Sequence, residues 1–249
     1  MSANMPMGVK CLAPASLLIA ALTLAGCQTD YEDMTAAQHA AYSGTGNVYT
    51  LKPDPNAPIQ VTYRIDDHRF LSLENYDRCY GDNYFNDTRL VIHQKVWTGD
   101  PTGYRGRLII DDPSGLNIVL PTAENTSCGD RGCTSYFAYS TDSGRTFRWI
   151  DYKQYSSRPS EDSEKFTIAA ANDGIYVFQK RVYGGDYTVS KYPLISGIDL
   201  SRPYPAGVHD ESFMASKRPD VLPSLHTPSG QDHYICDASL RAPNVTTSQ

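Results

Sequence analysis

The chain has 249 residues, 40% of them hydrophobic, and 22 basic against 28 acidic side chains give a formal net charge of −6. This mild acidity lacks the basic face that nucleic acid requires, so no nucleic-acid partner is expected; it suits solubility or a basic protein surface. No internal repeat of roughly 20–50 residues stands out, which leaves room for one substantial domain or two small ones.

The N-terminus reads as a processed leader. Lys10 precedes an apolar run from Leu12 to Ala25, interrupted by Pro14. The run is shorter than the roughly 20 apolar residues of a membrane-spanning helix, and it leaves through small residues, as secretory signal peptides do. Its close, Leu24-Ala25-Gly26-Cys27, resembles the lipobox of bacterial lipoproteins. The resemblance implies a signal peptide over residues 1–26 and an acylated Cys27, with two or more chains giving stable attachment. Gln28 and Thr29, with no Asp beside Cys27, lean toward the outer membrane. Loss of the leader deletes Lys10 and no acid, which takes the net charge from −6 to −7. Residues 27–47 have no long apolar face and read as a flexible tether. "KPDPNAP" (52–58) reads as extended and turn-rich, because Pro blocks helix and biases its neighbour to extended backbone. A single domain is expected over residues 48–242, with a disordered tail over 243–249.

Strand signals then dominate. "IQVTYRI" alternates Ile59, Val61, Tyr63 and Ile65 on one face, and "RFLSLEN" does so with Phe70 or Leu71 and Leu73. Further strands are expected in 89–97, 104–111, 116–121, 135–141, 146–152, 166–172, 175–183 and 187–194. Turn formers such as "DDPSG", "NDG" and "YGGDY" separate them. No segment holds a helical apolar period for three turns. The chain is therefore expected to be all-β with mostly antiparallel sheets. From Pro193 the repeated prolines oppose regular structure while Ile195, Ile198, Leu200, Tyr204, Phe213, Leu222, Leu225 and Tyr234 remain apolar enough to pack. An irregular Pro-rich C-terminal strap over the β core is expected.

Four cysteines remain once Cys11 and Cys27 are set aside: Cys79, Cys128, Cys133 and Cys236. An even number in an oxidising compartment implies two disulfides, with three possible pairings. "CGDRGC" carries Gly129 and Gly132, which permit a tight loop and favour Cys128–Cys133, leaving Cys79–Cys236. Zinc would want Cys-x-x-Cys or clustered His, and neither spacing occurs, so no metal and no other cofactor is expected.

In "SYFAYSTDSGRTFRWIDYK" (135–153), Ser140, Asp142, Gly144, Thr146 and Phe147 form S-x-D-x-G-x-T-F. This resembles the Asp-box of sialidase-like β-propellers. Asp142 can accept turn N–H groups, Gly144 can supply positive φ, and Phe147 can turn inward. Such a box is a structural hairpin, not a catalytic site. A single copy implies a small or incomplete propeller-like sheet assembly, with a β-sandwich as the alternative.

The search for catalysis is empty. No nucleophile elbow, zinc helix or phosphate loop occurs. "SGQDHY" places Ser229, Asp232 and His233 together, but triads are assembled in space from distant positions, so turn bonding is the better reading. Asp66, Asp67 and His68 read as a strand end or tight turn. "GDNYFND" (81–87) has oxygen ligands suited to calcium without EF-hand spacing, and reads as a solvated loop. Most of the 18 tyrosines suit strand packing, whereas Tyr80, Tyr84, Tyr155, Tyr183 and Tyr187 fall in turn-rich segments suited to protein contact. Tyr183, Asp186 and Tyr187 of "VYGGDY" are the expected part of a partner-binding edge.

"YRIDDHRFLSLENYDRCYGDNYFNDT", "STDSGRTF", "KYPLISGIDLSRPYPAGV" and "KRPDVLPSLHTPSGQDHYICDAS" resemble immunity lipoproteins paired with type VI secretion lipase effectors. The resemblance covers roughly residues 59–241 and the lipobox. It implies a non-enzymatic protein on the periplasmic side of the envelope that binds a secreted phospholipase and blocks it. It supplies no catalytic residues. The rival readings are a sialidase-like or carbohydrate-binding envelope lipoprotein, raised by the Asp-box, and a structural lipoprotein without a ligand.

Overall fold

Asp66 sets the first hairpin. Its Oδ1 accepts the backbone N–H groups of His68 and Arg69 at 3.0 and 2.7 Å, and its Oδ2 takes the Arg69 guanidinium at 2.8 Å. The computed structural model describes residues 53–124 and 128–240, all within one unit spanning Thr35–Gln249. The leader, Cys27, the tether and the tail over 243–249 lie outside the described residues. Among those described, no helix is long and apolar enough to cross a membrane.

The Asp66 turn joins β1 (Gln60–Arg64) to β2 (Arg69–Asp77), and β3 (Tyr80–Asp87) and β4 (Ile92–Gly99) complete a four-stranded antiparallel meander. β5 (Arg107–Asp111) departs to another sheet. The second sheet centres on β8 (Gly132–Ser140), which pairs with β6 (Ile118–Pro121), with the short β7 (Cys128–Gly129) and with β9 (Arg148–Ser156). A one-turn helix, α1 (Pro159–Ser163), leads to β10 (Phe166–Ala171), β11 (Gly174–Lys180), β12 (Tyr187–Tyr192) and β13 (Glu211–Met214). These join β5 in a five-stranded sheet of order β13-β12-β11-β10-β5. Every pairing is antiparallel except β5 with β10. The protein is thus all-β, and its three sheets form sandwich-like layers with no closed barrel among the described residues.

One core joins all three sheets. Tyr63, Leu71 and Phe85 come from the first, Ile118, Leu120 and Phe137 from the second, and Leu108, Ile168 and Ile175 from the third. The five-stranded sheet is apolar on both faces. Its other face buries Ile109, Ala169, Phe178 and Val189, and Phe213, Val221, Leu222 and Leu225 of the C-terminal segment pack over them. A sheet covered on both faces needs near-continuous apolar strands, which explains "FTIAAA".

The strap is more regular than its prolines suggest. Residues 211–214 form β13, paired with β12, and Val221–Ser224 make a single helical turn, α2. Beyond it the chain threads between β1 and β5. Ser229 N–H donates to Ile65 O, Ile235 N–H to Thr62 O, and Leu108 N–H to Asp232 O, at 2.8–2.9 Å. The Tyr63 hydroxyl sits 2.7 Å from Thr227 Oγ1, 2.8 Å from Leu108 O and 3.0 Å from Gln231 O. The Cys79–Cys236 disulfide then ties the strap to the β2–β3 turn across a separation of 157 residues, and Cys128–Cys133 closes a separation of 5.

Three local expectations need correction. "GDNYFND" is not a solvated loop but β3, with Asn83, Phe85, Asn86 and Asp87 buried. Its polar residues are tolerated inside because they are bonded: Asn83 Nδ2 donates to Gly99 O, Asn86 Nδ2 to Ser72 Oγ, and Asp87 Oδ1 accepts from Arg89 and Leu90 N–H. Tyr80 and Tyr84 accordingly belong to this strand, and Tyr84 stacks on His93. The alternation across 59–65 fails because the register shifts between Val61 and Tyr63, which leaves Ile59 exposed and buries Thr62. Residues 89–91 form the β3–β4 turn rather than the start of a strand.

Candidate partner-binding surface

The S-x-D-x-G-x-T-F residues fold on one another at the β8–β9 turn. Ser140 Oγ donates to Asp142 Oδ1 at 2.7 Å and accepts from Gly144 N–H at 2.9 Å. Asp142 accepts from Thr146 N–H at 3.0 Å and from its hydroxyl at 2.6 Å. Burial works against the Asp142 anion, but the Thr146 and Ser140 bonds outweigh it and hold the carboxyl below its ordinary range. Gly144 has φ +83°, and a Cβ there would collide with the Phe85 ring. The box groups satisfy each other and Phe147 packs against the core, so the motif locks a hairpin.

The "VYGGDY" residues part company. Tyr183 is 84% exposed on the β11–β12 turn, beside the exposed Val182. Asp186 lies at the surface, where its Oδ2 accepts the Ser216 hydroxyl at 2.7 Å and pins the strap to this turn. Tyr187 packs against the buried residues on the other face of the five-stranded sheet. Of the three, Tyr183 is the one whose ring is exposed to solvent.

The catalytic constellations stay apart or are engaged in structure. Ser229 Oγ donates to Arg64 O, while Asp232 contacts His233 and Arg107, and no Ser229–His233 bond occurs among the described residues. Asp66, Asp67 and His68 converge within 4.8 Å, but Asp66 is the turn acceptor described above and Asp67 pairs with Arg89 at 2.8 Å.

Two surface features escape a sequence reading. The β3–β4 turn presents Leu90 and Val91, the latter 90% exposed at φ +55°, a strained setting for a β-branched residue. A cleft of about 290 Å³ opens between the first and second sheets, lined by Trp97, Thr98, Thr122, Glu124, Tyr136 and Trp149. The two indoles meet edge to face with ring centroids 6.4 Å apart. Glu124 comes just after β6, and its carboxylate lies over Gly99, where any Cβ would collide with it. Glu124 Oε1 and Trp97 Nε1 are both buried without a hydrogen bond of good geometry. Burial, and next the charge of Asp100, push the Glu124 carboxyl up to about 7, although the Trp97 indole and Asp100 N–H approach it. Nothing in "PTAENTSC" marks this glutamate in the sequence, because its burial comes from distant strands.

Among the described residues the polar clusters serve the protein's own turns, and the exposed features include apolar turns and an aromatic cleft. Residues 55–179, half of the chain, match the family described as T6SS Tli3 immunity protein. The chain belongs to this type VI secretion immunity family, and membership implies a non-enzymatic inhibitor that binds a cognate effector protein. No curated protein matches the chain.

Proposed function

We propose that this immunity protein binds a secreted lipase effector on the periplasmic side of the envelope and blocks it, sparing the cell's phospholipids. An acyl anchor on Cys27 holds it there, in the outer membrane, with residues 27–47 as tether. The family match carries the immunity role; the long resemblance to immunity lipoproteins and the Leu24-Ala25-Gly26-Cys27 box support the lipase and the anchor. The parts agree physically. A lipase that attacks the envelope from the periplasm is met by an inhibitor tethered at its target, which raises the effective concentration where the tether can span the distance. A standard inhibitory interface buries about 1,600 Å², for which an exposed tyrosine, an apolar hairpin tip and a cleft supply anchor points. Co-expression with the cognate lipase tests this. The lipase should co-purify with the immunity protein, and cells producing both should survive periplasmic delivery of the lipase. Absence of both co-purification and protection would reject the proposal.

A further inference from the structure

The cleft between the first and second sheets brings the Glu124 carboxyl together with two indoles, Trp97 and Trp149. Among the described residues Glu124 Oε1 lacks a hydrogen bond of good geometry, although the Trp97 indole and Asp100 N–H approach the carboxyl, and neither Glu124 nor Asp100 forms an ion pair. Burial disfavours the ionised form of this carboxyl, and Gly99, lacking a Cβ, leaves room for it. At the mouth, Trp149 is 38% exposed and Thr98 is exposed, so the cleft is reachable from solvent.

We infer that this cleft receives a cationic side chain, arginine or lysine, presented by the effector that the protein binds; the inference rests on the proposed function. The aromatic walls suit a cation, because an ammonium or guanidinium near an indole face is attracted by the ring quadrupole, more strongly where water is excluded. Glu124 supplies the charged acceptor, and Thr98 and Thr122 line the cleft. The volume lies at the lower edge of ordinary ligand pockets, about 300–1,000 Å³, which fits one side chain better than a lipid or a cofactor. The acidic balance of the chain favours a basic counterpart. A bound cation favours the ionised carboxylate, so its affinity rises with pH through the range near 7 where Glu124 titrates. Among the described residues, the other titratable groups around Glu124 include Tyr136 of the cleft wall, Asp100, raised by its own burial, and Tyr80, whose pKa burial raises and Glu124 raises further.

Two titrations test this. In the first, N-acetylarginine amide is added to the purified protein and tryptophan fluorescence is followed between pH 6 and 8. Saturable binding that tightens with pH is expected, and Glu124→Gln should weaken it at least tenfold and flatten the pH dependence. In the second, the cognate lipase is titrated against wild type, Glu124→Gln and the rim variant Trp149→Ala, each checked for an unchanged circular dichroism spectrum. Both variants should bind the lipase at least tenfold more weakly. Wild-type affinity in both folded variants would overturn the inference while leaving the proposed function intact. Failure of the wild type to bind the lipase would instead reject the proposed function, and the arginine titration would then decide the cleft's preference alone. Saturation by choline with no response to the arginine probe would also overturn the inference, marking a quaternary-ammonium site.

Discussion

Phe147 meets Phe85 edge to face, with ring centroids 5.9 Å apart and planes at 61°. Phe147 closes the S-x-D-x-G-x-T-F turn of the second sheet, and Phe85 is fully buried on β3 of the first. The motif therefore sets a local hairpin and also presses that hairpin's anchor onto a neighbouring sheet. Phe147→Ala should cost about 2–3 kcal/mol, somewhat less than truncation of a fully enclosed ring. Gly144→Ala should also destabilise, by roughly 2 kcal/mol or more, since it combines an unfavourable φ with a collision against Phe85. Urea unfolding with an unchanged m-value checks both, and a loss below about 0.5 kcal/mol in either would contradict the docking role.

Cys236→Ser should release the strap's end. In the chain-entropy account the Cys79–Cys236 link, across a separation of 157 residues, contributes about 5 kcal/mol, against about 2 for Cys128–Cys133. Limited proteolysis should therefore cut residues 226–240 early in Cys236→Ser and leave them resistant longer in Cys133→Ser. Equal resistance in both would contradict the ranking.

Tyr63→Phe removes the hydroxyl that sits among Thr227, Leu108 and Gln231 where strap, β1 and β5 meet. Burial raises the Tyr63 pKa well above its ordinary value, so the group stays a neutral donor throughout the physiological range. Loss of a buried donor facing carbonyl acceptors should cost about 1–3 kcal/mol. Amide exchange at Leu108, Ile110 and Ile235 should accelerate together, because their N–H groups bond across this junction. Faster exchange at only one of them would show that the strap does not open as a unit.

Glu124 gives stability a pH dependence of defined sign. Its folded pKa, about 7, lies above the ordinary carboxylate value of 4.5. The folded state therefore holds the proton more tightly. The associated stability is fully present below about pH 4.5 and is lost as pH rises through 7, with a total on the order of 3 kcal/mol. Glu124→Gln should flatten this fall between pH 5 and 8. Parallel curves for the two proteins, by denaturant titration, would contradict the assignment.

The parts legible in the sequence were those where one physical signal dominated. β10 and β11 announce themselves through apolar β-formers between Gly and Asp turns, and the S-x-D-x-G-x-T-F spacing marks its hairpin because each residue has a geometric duty. The cysteine pairings seen in the structure are those that the glycines of "CGDRGC" favour. β3 was hidden because Asn83, Asn86 and Asp87 look solvent-facing until their partners, Gly99, Ser72 and the β3–β4 turn, are in place. β13 was masked by flanking prolines, and its strand identity comes from pairing with β12. Of the three candidates, Asp186 and Tyr187 carry the same turn-region signal as Tyr183, yet Asp186 is engaged by Ser216 of the strap and Tyr187 packs on the sheet, which leaves Tyr183 exposed. The Trp97–Glu124–Trp149 cleft has no sequence signature, since three separate segments build it.

For the proposed anchor, Cys27→Ser should move the protein from the membrane fraction to the soluble fraction and reduce protection of cells attacked through the periplasm. Fractionation by ultracentrifugation reads the first effect and survival in competition the second. Unchanged membrane association would reject acylation at Cys27.

Under the proposed function, this protein works by fitting a lipase and holding it. Titrating the purified protein into a fixed concentration of its cognate lipase, with phospholipid hydrolysis followed throughout, tests it most directly. Hydrolysis should fall to baseline at a fixed molar ratio, with the lipase and lipids chemically unaltered by the inhibitor. Full lipase turnover in the presence of excess protein, or inhibition that proceeds only as the protein covalently processes one of them, would contradict it.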